Sequence, residues 1–215
     1  MLTIKNTEVF GLKRAIIASG NPMKMGEINT KEYPHDLSEL KVRDVNRAVS
    51  LGSNPVGSAH DHYLMGVHVQ ADILYPQYWT IEAERYNWFE ILSSQSKMHK
   101  LTLMGKNEDF KGMFNKYVLQ STIDNVKELI DEYNNQKVNE GSKETLYCHF
   151  MKCISNLPLG FEMWMTFDTN YLQLKTMYLQ RKAHKLIEDW GSFCEWCEEL
   201  PMFIELTGVK ECLIH

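Results

Sequence analysis

The chain has 215 residues, of which 44% are hydrophobic and 24% are charged, and its formal net charge at pH 7 is −5. This length and balance are typical of a globular protein with one core, and they exclude a disordered chain. The acidic balance excludes a general nucleic-acid binder, which needs a basic face, but it allows a small anionic ligand held by local cations. No apolar stretch is long enough to span a membrane, and the first residues lack the pattern of a secretory signal. We therefore expect a single cytoplasmic domain over residues 1–215, with no membrane or nucleic-acid partner.

In the first half of the chain, hydrophobic spacing and chain breakers predict three helices and one strand. Helices are predicted over 8–19, closed by Gly20-Asn21-Pro22, and over 36–51, with Asp36 as the cap. Alternating β-branched and aromatic residues predict much of 62–73 as a strand. Pro76 suits the first turn of a third helix, which runs to about residue 88.

In the second half, the same criteria predict one strand over 161–167 and four helices, over 122–136, 143–154, 170–182 and 184–200. Strands and helices that do not alternate regularly indicate an α+β fold.

The five cysteines, without a secretion signal, predict reduced thiols. Cys194 and Cys197 are three residues apart in a helical pattern, so they share one face and behave as small hydrophobic residues. A paired-cysteine zinc site would need a second pair at matching spacing, and Cys148 and Cys153 are five apart. We predict structural cysteines and no bound metal; the fifth cysteine is Cys212.

Residues 92–101 read Leu-Ser-Ser-Gln-Ser-Lys-Met-His-Lys-Leu and are the most polar candidate site. Hydroxyls, an amide and cations this close together can hold a phosphate or the edge of a nucleobase when backbone N–H groups also point inward. An ordinary solvated polar loop is the alternative.

The sequence His60-Asp61-His62 is a second candidate, because an alternating His-x-His can place two imidazoles on one face of a strand and bind a transition metal.

His-Asp is also the core of a metal phosphohydrolase signature, which needs a further upstream His and a downstream Asp. His35 and either Asp124 or Asp131 could complete it. That family needs a helix where this sequence predicts extended chain, so the hydrolase is the weakest alternative.

Two further segments combine cations with aromatic or amide side chains. Arg85 lies among tryptophans on the predicted third helix, and an arginine buried between aromatic rings predicts an anionic ligand; an exposed ion pair with a neighbouring glutamate is the alternative. Asn170, Gln173 and Arg181 offer donors and acceptors to a nucleobase or phosphate, with His184 close behind. Here the alternative is a solvated polar face over an aliphatic stripe.

Taken in order, these segments resemble the flavin-dependent thymidylate synthases, the ThyX family. That family has an early His, then a signature of the form Arg-His-Arg-x-x-Ser-x-Asn-Glu-x-Ser-x-Arg-Tyr, then a C-terminal helix pair. His60 corresponds to the early His, Arg85 to one Arg of the triplet and Ser96 to the last Ser of the signature. Asn170, Arg181 and His184, with Ile187-Glu188 after them, match the pattern of the C-terminal helix pair. The resemblance spans roughly residues 55–200.

This resemblance implies a ThyX-like mixed sheet flanked by long helices, and an enzyme that methylates dUMP at C5. It implies FAD as the cofactor, NADPH and methylene-tetrahydrofolate as co-substrates, and a homotetramer with active sites between subunits. By the same resemblance, Ser96 and Arg181 are the catalytic residues. The implied substrate-binding residues are Ser94, Gln95, Ser96, Lys97 and Arg181, and the implied flavin-binding residues are His60, Arg85, Asn170 and His184.

The chain also departs from the family signature. Tyr86 and Asn87 replace the second and third members of the Arg-His-Arg triplet, and Met98-His99 stands in place of Arg-Tyr. Each lost charge-assisted hydrogen bond costs about 1.5–3 kcal/mol of ligand binding, and Lys97 and His99 lack the bidentate fork of arginine. Two alternatives therefore stay open: a related pyrimidine-nucleotide enzyme, such as a hydroxymethylating one, and a nucleotide-binding protein that has lost flavin chemistry.

Overall fold

The structure is a computed structural model that describes residues 1–26 and 36–210, apart from the side chains of residues 101 and 102. Its strands are β1 (Thr3–Phe10), β2 (His68–Pro76), β3 (Glu90–Ser94) and β4 (Glu162–Asn170). They form one antiparallel sheet in the order β1-β2-β4-β3. The helices are α1 (Leu12–Ala18), α2 (Val42–Gly52), α3 (Gln77–Ala83), α4 (Lys97–Met104), α5 (Gln120–Val138), α6 (Lys143–Asn156), α7 (Tyr171–Arg181), α8 (Ile187–Glu199) and α9 (Phe203–Thr207). The predicted α+β class is confirmed.

The chain forms two compact units that interleave along the sequence. Of the described residues, unit 1 contains Met1 and residues 74–83 and 93–165, and unit 2 contains residues 2–26, 36–73, 84–92 and 166–210. A single domain over 1–215 stays a prediction. Within the described residues, no helix is both long and apolar enough to cross a membrane.

Unit 1 is built on the packing of α5 against α6, and both helices were predicted from their periodicity. Ile123, Val126 and Ile130 are buried on one face of α5, as their spacing predicts. Ser142 caps α6 by accepting a hydrogen bond from the backbone N–H of Thr145. Also in unit 1, the aromatic rings of Phe110, Phe114 and Phe161 pack edge to face, with centroids 5.3 and 5.4 Å apart.

Unit 2 has an aromatic core that joins the sheet to α8. Phe89 stacks on Phe167 of β4 with centroids 4.6 Å apart, and Phe193 of α8 packs against Phe89 at 6.5 Å. Cys194 and Cys197 are buried on the same helix, as the i, i+3 spacing predicts. Burial raises the pKa of Cys194 to about 11, so this thiol stays protonated at neutral pH.

The N-terminal elements differ from the sequence prediction, which was wrong for residues 8–10. These residues belong to β1, and the chain turns at Gly11, whose φ of 77° is left-handed and costs little only for glycine. The predicted helix 36–51 begins only at Val42. Asp36 instead caps a short 3-10 turn, Leu37–Glu39, by accepting from the backbone N–H of Ser38.

Three other predictions need correction. Residues 62–66 form a 3-10 turn and the strand begins at His68. Helix α3 ends at Ala83, so residues 84–88 are not helical, and β3 was not predicted. The polar segment 92–101 is not a loop: it contains the end of β3 and the start of α4.

Gly11→Ala is expected to lower the free energy of unfolding by about 2 kcal/mol or more. A Cβ at this position would lie 2.3 Å from the carbonyl oxygen of Gly66, in addition to the strain of the positive φ. Gly26→Ala is the matched control, because Gly26 has a φ of 81° with nothing within 4 Å of its Cβ position. In urea denaturation, an equal loss in both variants would contradict the close approach at Gly66.

Candidate functional site

A cavity of about 520 Å³ lies in unit 1 where β3 meets α4, within the size range of small-molecule sites. Its polar lining includes three of the predicted substrate-binding residues. The lining residues are Ser94, Gln95, Ser96, His99, Lys100, Leu103, Met104, Asn107 and Met113. The cavity thus combines hydroxyls, an amide and a cation with an apolar wall.

Ser96 has a structural role at this cavity, since it is the N-cap of α4. Its Oγ accepts a hydrogen bond from the backbone N–H of His99 at 3.3 Å, which leaves the hydroxyl proton to be donated elsewhere. Gln95 is also tied to the fold: its backbone N–H donates to the carbonyl of Trp164 at 2.9 Å, and its Oε1 accepts from the Trp164 N–H at 3.1 Å. Gln95 thereby continues the pairing of β3 with β4.

The structure does not place Lys97 on the cavity lining. Its ammonium group donates to Oε1 of Gln77, and the lysine on the lining is Lys100. His99 joins Lys100 there. The role of Lys97 in substrate binding stays a prediction, and Lys100 is the lysine that the first turns of α4 place on the lining.

In unit 2, Arg181 and not Arg85 is the arginine between aromatic rings. The Arg181 guanidinium carbon lies 4.6 Å from the ring centroid of Trp190 and 5.5 Å from that of Tyr86, and Nε donates to the Tyr86 hydroxyl at 2.8 Å. The hydroxyl of Tyr86 in turn donates to Gln180. Arg85 is exposed in the turn that follows α3, so the prediction of a buried Arg85 on a helix was wrong.

Asn170 and His184 both make local contacts at the ends of helices. Asn170 is buried and caps α7, with Oδ1 accepting from the backbone N–H of Gln173 at 2.9 Å. His184 accepts from the backbone N–H of Leu186 through Nδ1 at 3.2 Å, and its ring meets Trp190 edge to face at 6.2 Å. Arg181 and His184 therefore share the indole of Trp190.

A second cavity, of about 350 Å³, lies within unit 2. Gln173 bridges part of its wall by accepting from the backbone N–H of Trp88 at 3.4 Å. Trp88 itself is more than half exposed. The lining residues are Val56, Gly57, Ala59, Asp61, His62, Trp88, Leu172, Gln173 and Thr176. His62 lines this cavity, whereas His60 is exposed and is not among the lining residues.

A buried ion pair underlies this second cavity. The ammonium group of Lys175 lies 2.8 Å from Oδ2 of Asp61, and the side chains are 0% and 2% exposed. The same group donates to the backbone carbonyls of Gly52 at 2.8 Å and Asn54 at 2.5 Å. Burial, with the negative charge of Asp61 adding to it, raises the pKa of the nearby Tyr63.

Within residues 1–26 and 36–210, no three His, Cys, Asp or Glu side chains are grouped to hold a metal ion. His35 and Cys212, which entered the sequence-based interpretation, lie outside the described residues.

Sequence reasoning missed three residues of these sites: Asp61 as a buried cavity residue, its partner Lys175, and Lys100. For Lys175 a signal was present, because the apolar spacing of Leu174 and Met177 places the lysine on the buried side of α7. A lysine at such a position needs a buried partner.

The fold is similar to three solved structures over nearly the whole chain. Two are structures of ThyX from Helicobacter pylori with FAD and dUMP. The first is 12% identical, with a TM-score of 0.67 and a match that covers 98% of each chain. The second is 11% identical, with a TM-score of 0.68 and a match that covers 100% of each chain. The third is the UMP/dUMP methylase PolB from Streptomyces cacaoi bound with 5-Br dUMP, covering 97% of this chain and 92% of that one at 12% identity with a TM-score of 0.58. No protein-family model and no curated protein matches the chain. The chain therefore has the fold of the flavin-dependent thymidylate synthases, and the resemblance seen in the sequence is confirmed at that level.

Arg181→Ala is expected to lower the free energy of unfolding by about 1–2 kcal/mol, because it removes the contacts with two rings and the hydrogen bond to Tyr86. Arg181→Lys should recover only part of this loss, since an ammonium group cannot stack as a planar guanidinium does. Denaturation followed by tryptophan fluorescence measures both. The control is Arg85→Ala, which removes an exposed arginine and should change the free energy of unfolding by no more than about 0.5 kcal/mol. A loss comparable to that of Arg181→Ala would contradict a special stabilising role for the ring contacts of Arg181.

Proposed function

We propose that this protein is a flavin-dependent enzyme that methylates dUMP at C5, as thymidylate synthases of this fold do. Its FAD would be reduced by NADPH, methylene-tetrahydrofolate would supply the carbon, and the chain would act as one domain in a homotetramer. The observation that carries the proposal is the full-length fold similarity to proteins crystallised with FAD and dUMP. The two cavities add chemical support.

The cavity of unit 1 is suited to a nucleoside monophosphate. Ser94 and Ser96 offer hydroxyl donors and Lys100 offers a cation to the phosphate, while Met104 and Met113 offer a polarizable wall to the base. Ser96 and Arg181 remain the proposed catalytic residues, with Gln95 and Lys97 as secondary substrate-binding candidates. Lys97 would act from outside the lining, through its bond to Gln77.

The cavity of unit 2 is suited to the planar ring of a flavin. Trp88 presents a half-exposed indole for stacking, Leu172 gives an apolar wall, and Asp61 and Gln173 give polar groups for a ring edge. Bound flavin would supply hydride transfer, and the protein would orient the ring and limit its contact with water. In this arrangement His62 replaces His60 as the histidine nearest the ring. His60, Arg85, Asn170 and His184 remain proposed flavin contacts.

One observation favours a second candidate, a nucleotide-binding protein without flavin chemistry. The cavity of unit 2 has neither lysine nor arginine among its described lining residues, and Arg85 is exposed. A flavin dinucleotide carries two phosphates that need cations or backbone N–H groups. The altered signature also keeps a related reaction open, such as hydroxymethylation of the same nucleotide.

Flavin content separates the flavin-dependent enzyme from the nucleotide-binding protein without flavin chemistry. The protein purified without added cofactor, or mixed with FAD, is expected to be yellow with absorbance at about 450 nm, which is a property of the flavin ring. The measurement is the absorbance spectrum of the protein after gel filtration, with FAD released by denaturation and quantified. A colourless protein that takes up no FAD but still binds dUMP would identify the nucleotide-binding candidate.

Lys100→Ala is expected to weaken dUMP binding roughly fivefold to tenfold, because it removes a cation from the lining of the unit 1 cavity. The difference from the wild type should shrink as salt is raised, since an exposed charge is screened. Titration calorimetry at two salt concentrations measures both effects. Lys106→Ala removes an exposed lysine outside the lining and should leave affinity unchanged; equal losses in the two variants would place the nucleotide elsewhere.

A further inference from the structure

The buried ammonium group of Lys175 fixes the backbone that forms one wall of the unit 2 cavity. A lysine has three N–H donors, and here all three have acceptors: the carbonyls of Gly52 and Asn54, and the carboxylate of Asp61. These acceptors mark the two ends of the segment 52–61, which also carries positive φ angles at Gly57 and Ala59. One side chain therefore holds both ends of a strained segment.

The two carboxylate oxygens of Asp61 differ in their hydrogen bonds. Oδ2 bonds to Lys175, and no described residue donates a hydrogen bond to Oδ1. Asp61 is one of the residues that line the cavity, and because it is only 2% exposed, water reaches its carboxylate poorly. An acceptor in such surroundings discriminates strongly between ligands with and without a hydrogen-bond donor. A ligand that displaces water but donates no hydrogen bond leaves a charged oxygen unpaired.

The rest of the lining defines the shape of the ligand. Trp88 offers a flat aromatic face, and Val56 and Leu172 offer apolar contacts. The Oε1 atom of Gln173 is already used by the Trp88 backbone N–H, so Asp61 is the strongest acceptor on the lining. A flat ring with an N–H group on one edge matches this arrangement.

We propose that Asp61 is the specificity-determining acceptor of this cavity, selecting planar heterocycles that present an N–H edge, and that Lys175 is its positioning residue. For the choice of flavin as the heterocycle, the inference rests on the proposed function. The imide N–H of a flavin ring then donates to Oδ1 of Asp61 while the ring stacks on Trp88. Lys175 does not touch the ligand and acts through Asp61.

The test compares lumiflavin, which is the flavin ring without its phosphate chain, with 3-methyllumiflavin, whose imide nitrogen carries no hydrogen. Binding is followed by quenching of ligand fluorescence. The wild type is expected to bind the methylated ring roughly tenfold more weakly or worse, as for the loss of a hydrogen bond to a charged group. A wild type that binds both rings equally, or binds neither, would overturn the proposal.

Two variants separate positioning from folding. Lys175→Met leaves a buried charge on Asp61 and is expected to be strongly destabilised, whereas Asp61→Leu with Lys175→Met replaces the whole ion pair with apolar groups and should fold. The double variant should lose the preference for the N–H ring, with the two affinities within about twofold. A double variant that folds and keeps the tenfold preference would overturn the roles of both residues. The control is Asp168→Asn, outside the cavity, which should keep the preference.

The same experiment distinguishes this inference from the proposed function. Protein that prefers lumiflavin over its methylated form but takes up no FAD would keep the role of Asp61 and refute the flavoenzyme. Protein that takes up FAD and methylates dUMP, but binds lumiflavin and its methylated form equally, would support the flavoenzyme and refute the role of Asp61.

Discussion

The fully buried ammonium group of Lys175 is the constraint on which the described part of unit 2 depends. Removing a lysine from water is costly, and the cost is offset only when all three of its donors and its charge are satisfied. Here the C-terminal carbonyl of α2, the carbonyl of Asn54 and the carboxylate of Asp61 satisfy them together. Helix α7 is thereby tied to α2 and to the turn that begins at His62, and a cavity wall forms where these segments meet.

The sequence predicted those elements whose signals are local. Helix α5 was predicted correctly from the apolar stripe of Ile123, Val126 and Ile130, and strand β4 from its alternating pattern. Both patterns are visible in the sequence because one face of each element is buried. β1 was missed because Val9 and Phe10 fit the helical spacing of the residues after them. At Gly11 the chain passes so close to the carbonyl of Gly66, 55 positions away, that no Cβ fits between them, and such a distant approach leaves no local signal.

At the candidate site, residue types were easier to predict than their placement. An arginine between aromatic rings was expected from the composition of residues 79–88, yet the rings of Tyr86 and Trp190 receive Arg181 from a different helix. Likewise His62 and not His60 is among the residues that line the cavity of unit 2, and His62 begins a 3-10 turn where a strand was predicted. Tertiary contacts between distant segments decided both cases.

The saturated donors of Lys175 also limit how this protein can change in the course of evolution. A substitution at position 61 or 175 alone leaves a charge stranded in the core, and a longer side chain at Gly52 would meet the carbonyl of Leu206 at 1.9 Å. Descendants can abandon the pair only by exchanging both partners together. Across homologous sequences, positions 61 and 175 should therefore vary jointly.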